Sequence, residues 1–78
     1  MTFLTLSKLR ILSGQEVCGI LKKHGFTEVR RRSSHIIMQR RSPDGTTTVP
    51  VPDHKVVRRG TLRSIIRQSG LPRSEFES

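Results

Sequence analysis

The chain has 78 residues, 32% of them apolar, with neither Trp nor Tyr, so it has room for one small domain that buries only about 60% of its unfolded surface. It is too short for a multidomain enzyme or a nucleotide-cofactor fold. Fifteen Lys and Arg oppose six Asp and Glu, a net charge of +9, which points to a polyanionic partner, nucleic acid before an anionic membrane surface.

Residues 1–12 mix apolar side chains with two basic ones but lack a long apolar run ahead of a small-residue cleavage site. No secretory leader is expected there, and residues 1–11 are expected as an N-terminal extension of a single domain covering 1–78. Apolar stretches reach only three or four residues, too few to span a bilayer. The single Cys18 excludes an internal disulfide and fits a reducing compartment, so a cytoplasmic protein is expected.

Ser13-Gly14-Gln15-Glu16 has the spacing of a capping box. Val17, Ile20, Leu21 and His24 follow at helical spacing. Lys22 and Lys23 suit the negative end of the helix, and Gly25 suits its left-handed stop. A helix over 14–24 is predicted, with His24 capping its negative end. Phe26 to Arg31 then forms a short strand, and Arg30 to Ser34 turns. His35 to Arg40 is a second strand rich in β-branched residues. Ser42-Pro43-Asp44-Gly45 is a tight turn. Thr46 to Val51 is a third strand, placed at a sheet edge because Pro50 cannot donate to a ladder.

Asp53 to Arg59 reads as a basic loop. Gly60 and Thr61 open a second helix carrying Leu62, Ile65 and Ile66, and Gly70 closes it. Residues 72–77 make a short helical turn, with Phe76 folding back as a plug. The order is α-β-β-β-α, an α+β fold whose three-stranded antiparallel sheet needs helices over one face.

Arg30, Arg31, Arg32, Arg40 and Arg41 fall within twelve residues that include no acid. They flank one hairpin, and antiparallel pairing is expected to bring the two groups together. A phosphate backbone would relieve their repulsion; a solvated charged face is the plainer alternative. With few aromatic residues, recognition by backbone and shape is expected rather than base stacking. Thr61-Leu62-Arg63 opens the second helix and is either an anion site or an ordinary cap.

His35 directly follows Ser33 and Ser34 beside these arginines. A neutral imidazole there can take a proton from a ribose 2′-hydroxyl while arginines stabilise charge on the phosphate. On the residues alone, a strand-end histidine facing solvent is the plainer reading. Cys18 and His24 are six apart on a helix and face different ways. With no His-x-x-His, Cys-x-x-Cys or acidic pair, no metal site and no cofactor are expected.

Several segments together resemble the HicA (YcfA-like) toxins of bacterial toxin–antitoxin pairs. They are Ser13-Gly14-Gln15-Glu16, Leu21-Lys22-Lys23-His24-Gly25-Phe26, Arg32-Ser33-Ser34-His35, Val49-Pro50-Val51-Pro52-Asp53-His54, Gly60 through Leu71, and Ser74-Glu75-Phe76. The block from Gly60 to Leu71 is the most specific, and the match runs from about Leu12 to Phe76. The resemblance implies a fold like a double-stranded-RNA-binding domain. It also implies metal-independent cleavage of mRNA and a HicB-type antitoxin as protein partner. The family's catalytic residue is the His of a Gly-Ser-His motif, which falls on His35, while Ser33 stands where the family has Gly.

On that reading His35 is the general base, and Arg32, Arg40 and Lys55 stabilise the phosphorane. Arg30, Arg31, Ser33, Ser34, Arg41 and Arg63 complete the RNA contacts, and water or His54 protonates the leaving oxygen. The alternatives are a non-catalytic RNA-binding module of the same fold and an interaction protein whose basic face docks an acidic partner.

Overall fold

The computed structural model describes residues 8–77. The first helix, α1 (Gly14–Lys23), starts on the expected capping box: the Ser13 hydroxyl accepts from the Glu16 amide at 3.0 Å, and the Glu16 carboxylate accepts from the Ser13 amide at 2.9 Å. Three strands follow, β1 (Thr27–Arg32), β2 (His35–Ser42) and β3 (Gly45–Pro52), in the spatial order β1-β2-β3 with both pairs antiparallel. The second helix, α2 (Arg59–Ser69), ends at Gly70 in the left-handed region with φ 72°. A 3-10 turn over Arg73–Phe76 closes the chain.

This is the expected α-β-β-β-α order, with shifted boundaries. Phe26 precedes β1 as a core residue, 1% exposed, and the strand runs on through Arg32, so the first turn is only Ser33-Ser34. The α2 helix begins at Arg59, ahead of the expected Gly60-Thr61 opening, and its N-cap Arg58 supplies no side-chain hydrogen bond. His24 is the C-cap of α1, but its imidazole reaches across to Glu75 at 2.8 Å instead of capping carbonyls.

Alternation along β2 gives the sheet two unlike faces. Ile36 and Met38 join Val49 and Val51 in a core with Val17, Leu21, Leu62, Ile65 and Phe76, so both helices pack on this face. Complete burial of such side chains is worth about 1.5–3 kcal/mol each. His35, Ile37, Gln39 and Arg41 point to the other face, which no helix covers. Ile37 is buried outside the core cluster, flanked across the sheet by Arg30 and Pro50. That explains the run Ile36-Ile37-Met38, in which strict alternation fails.

Both outer strands are modified along their edges. In β1 the register shifts at Val29, between Glu28 and Arg30. In β3 the prolines at 50 and 52 cannot donate, so Val49 and Val51 supply the inward N–H groups and the outer edge loses two donors.

The segment before α1 belongs to the fold. Leu9 and Leu12 are buried, Leu9 bridges to Glu77, and the Arg10 amide donates to the Phe76 carbonyl. The remainder of the expected N-terminal extension, with most of the segment considered as a leader, lies at residues 1–7, outside the described residues. Among the described residues, no helix is long and apolar enough to cross a membrane.

The start of α1 is locked to the end of β3. A Cβ on Gly14 would run into the Pro52 carbonyl oxygen and come within 2.9 Å of the Asp53 Cα. The Gly14 amide donates to the His54 carbonyl at 2.9 Å, and the Val57 amide to the Leu12 carbonyl at 2.7 Å. Gly14→Ala should therefore destabilise the protein, although alanine favours a helix interior. The expected loss is about 1–3 kcal/mol, the cost of overpacking against backbone that cannot yield, read as a lower urea midpoint with an unchanged slope.

Candidate nucleic-acid interface and strand-end histidine

The β1–β2 turn has two residues, because Arg32 pairs directly with His35. Ser33 carries φ 54°, the only positive value at a non-glycine residue among those described. It falls on the first of the two turn positions, where type II′ hairpins place glycine. His35 thus begins β2 in the middle of the sheet end, between Arg32 of β1 and Pro52 of β3. Its side chain is exposed and lies on the helix-free face.

The loop after β3 is fastened to this turn. The Asp53 amide donates to the Ser34 carbonyl at 2.7 Å. The Asp53 carboxylate accepts from Arg31 Nη1 at 2.7 Å and from Gln15 Nε2 at 3.2 Å. These bonds hold the Asp53 carboxyl below its ordinary range, the Arg31 guanidinium being the main cause. The same pair raises the Arg31 pKa. Nothing in the local sequence assigns Asp53 this role. Its partners lie 22 and 38 positions away, and only the folded register brings them together.

The expected arginine cluster divides. Arg30, Arg32, Ser33, Ser34 and His35 gather at one end of the sheet, with Lys55 exposed in the loop that leaves Asp53. Arg40 and Arg41 lie toward the opposite end of β2 and pair with Thr47 and Thr46. The five-residue offset from His35 to Arg40 amounts to about 17 Å along a strand. The groups do not converge, because the turn at 33–34 puts Arg32 opposite His35, and β1 begins only at Thr27, the partner of Gln39.

Nor do the five arginines share a face. Arg31 lies on the helix side, bound to Asp53 and 3.5 Å from the Glu28 carboxylate. Arg40 also points toward the helices. Its guanidinium stacks 4.7 Å from the Phe26 ring centroid and donates to the His24 and Ser69 carbonyls. One cation thus serves the negative ends of both helices. Arg41 shares the helix-free face with Arg30 and Arg32, and Arg63 is exposed on α2. Arg30, Arg32, Arg41, Lys55 and Arg63 form no ion pair among the described residues.

Among the described residues, no three His, Cys, Asp or Glu side chains come together as a metal site. Cys18 is 3% exposed, and burial pushes its thiol up to about 11, so it is not a ready thiolate near neutrality.

The helix-free face therefore presents an exposed histidine beside a strained serine turn and unpaired arginines. The model of the HicA toxin family of bacterial toxin–antitoxin systems matches residues 14–71, 58 of the 78 in the chain. The chain belongs to the HicA toxin family. No curated protein matched it in sequence comparison. Family membership makes the chain a toxin of a toxin–antitoxin system, with an antitoxin as its partner.

Two outcomes test the geometry of this turn. Ser33→Gly should relieve the left-handed backbone and leave stability unchanged or raise it by up to about 1 kcal/mol, since glycine's greater entropy loss offsets part of the gain; thermal unfolding reads it. Arg31→Met should lower the melting temperature at pH 7. The folded-state pKa of Asp53 is depressed, so its contribution is complete above the ordinary value of 3.8 and is lost as pH falls through the folded value. The difference between Arg31→Met and the unmodified chain should shrink as pH drops below that ordinary value.

Proposed function

We propose that this HicA-family toxin is a metal-independent endoribonuclease that cleaves mRNA and is neutralised by a HicB-type antitoxin in the cytoplasm. The observation that carries the proposal is the exposure of His35 at the sheet end, next to Arg32 and the Ser33-Ser34 turn. The resemblance of Arg32-Ser33-Ser34-His35 to the family's Gly-Ser-His motif implies the catalytic role for His35.

In this mechanism Arg30, Arg32, Lys55 and the serine turn hold the RNA backbone, with Arg41 and Arg63 as more distant phosphate contacts. His35 accepts the proton of a 2′-hydroxyl. The 2′-oxygen forms a bond to the adjacent phosphorus, and the bond to the 5′-oxygen breaks. The departing oxygen takes a proton from water, leaving a 2′,3′-cyclic phosphate. Arg32 and Lys55 offset the added negative charge on the phosphorane. The chemistry requires a 2′-hydroxyl, so DNA is not a substrate. Arg31 and Arg40 have structural roles here: Arg31 positions the loop at Asp53, and Arg40 joins the helix ends to the sheet.

The test is His35→Ala beside the unmodified chain on one RNA, with and without EDTA. Cleavage by the unmodified chain should survive EDTA and give cyclic-phosphate ends. His35→Ala should lose about 10²–10⁴-fold in rate, keep its circular dichroism spectrum and still bind RNA with a steep salt dependence. A folded variant that cleaves at the unmodified rate would remove His35 from the mechanism and favour the non-catalytic RNA-binding module.

A further inference from the structure

Away from the histidine, a cleft of about 210 Å³ opens between the segment before α1 and the start of α2. Its floor includes the buried Leu9 and Leu62. Two of its apolar residues face solvent, Ile11 at 83% exposure and Val56 at 54%. With Val29, these are the exposed large hydrophobic residues of the described chain. The volume falls below the roughly 300–1,000 Å³ of small-molecule sites and suits an inserted side chain better than a cofactor.

The rim is cationic. Arg10, Arg58 and Arg59 line the cleft, no acidic residue does, and none of the three forms an ion pair among the described residues. The start of α2 lies at the same rim. Its N-cap Arg58 gives no side-chain hydrogen bond, and its first turn contains no acid. The positive end of that helix therefore lacks the carboxylate that would complement it.

We infer that this cleft docks an acidic, apolar segment of the protein partner, with a Leu- or Phe-sized side chain in the cleft and flanking carboxylates on Arg10, Arg58, Arg59 and the α2 amides. RNA supplies phosphates for the rim, but no aromatic side chain lines the cleft to stack its bases, whereas a polypeptide supplies carboxylates together with an apolar side chain for Leu9 and Leu62. From the functional reading, the inference takes only the existence of a protein partner; it does not depend on RNA cleavage. None of the residues lining the cleft belongs to the helix-free sheet face that carries His35.

The test uses the full ¹⁵N-labelled chain and a synthetic hexapeptide, acetyl-Glu-Asp-Leu-Phe-Asp-Glu-amide. Amide signals of Arg10, Ile11 and Val56 to Leu62 should shift saturably, while those of Ser33 to Gln39 stay in place. Replacing the peptide's acids by Lys, or its Leu and Phe by Ala, should each weaken binding by at least about tenfold. Arg58→Asp should also weaken it by about tenfold or more. Because aspartate is a good N-cap, the same variant should melt no lower than the unmodified chain, which separates loss of docking from loss of fold. Ile11→Ser, at a position 83% exposed, should weaken binding without a change in melting.

Failure of the peptide to shift the cleft signals would overturn the inference. So would unweakened binding by Arg58→Asp and Ile11→Ser, or a response of the cleft to single-stranded RNA alone. RNA cleavage measured on the same sample is a separate readout: a chain that cleaves RNA without binding the peptide refutes the cleft and leaves the nuclease standing, and the reverse result does the opposite.

Discussion

The absence of a side chain at residue 14 is the constraint on which the site end of the molecule depends. The Pro52 carbonyl sits in the space that a Cβ would fill, so helix and strand approach at backbone distance. The Gly14 amide takes the His54 carbonyl, Gln15 takes the Asp53 carboxylate, and the Asp53 amide takes the Ser34 carbonyl. Each contact continues the previous one, from helix start to strand end to hairpin turn. The exposed His35 is thus carried by a turn braced from behind. On the proposed mechanism, a group that must meet a phosphate in a defined orientation gains from such bracing.

The distribution of acids explains why so small a fold can carry so much positive charge. Five of its six acidic residues are engaged within the fold: Glu16 caps α1, Glu28 and Asp53 hold Arg31, Glu75 meets His24 and Glu77 meets Arg73. The sixth, Asp44, sits in the β2–β3 turn. Little negative charge remains to screen the helix-free face or the rim of the α2 cleft. These exposed pairs contribute little stability individually. Their larger effect is to leave the remaining cations available to a polyanion or an acidic protein.

Local signals made most of the fold legible. The capping box at Ser13 and the Pro43-Asp44 turn each declare themselves within four residues, and Phe76 is an apolar residue in a polar tail. What escaped was non-local. Arg40 and Arg41 are chemically identical neighbours, yet adjacent strand residues face opposite ways: one joins two helices and the other meets solvent. Nothing in their immediate sequence distinguishes them. The role of Asp53 depends on two hairpin registers at once. Leu9 lacks a periodic context, so residues 1–11 read as an extension although Leu9 packs. At the candidate site, the run Ile36-Ile37-Met38 hid the orientation of His35, and the positive φ of Ser33 was signalled only by the family's glycine at that place.

The treatment of the sheet edges bears on the life of the chain before it meets a partner. One edge has lost two N–H donors to Pro50 and Pro52, and the other is bent at Val29 and followed by three consecutive arginines. An edge without regular donors, or one whose copies repel each other, is a poor template for another strand. Newly synthesised molecules at high local concentration are thereby guarded against stacking into cross-β aggregates. A chain without its partner can thereby stay dispersed instead of being removed by its own self-association.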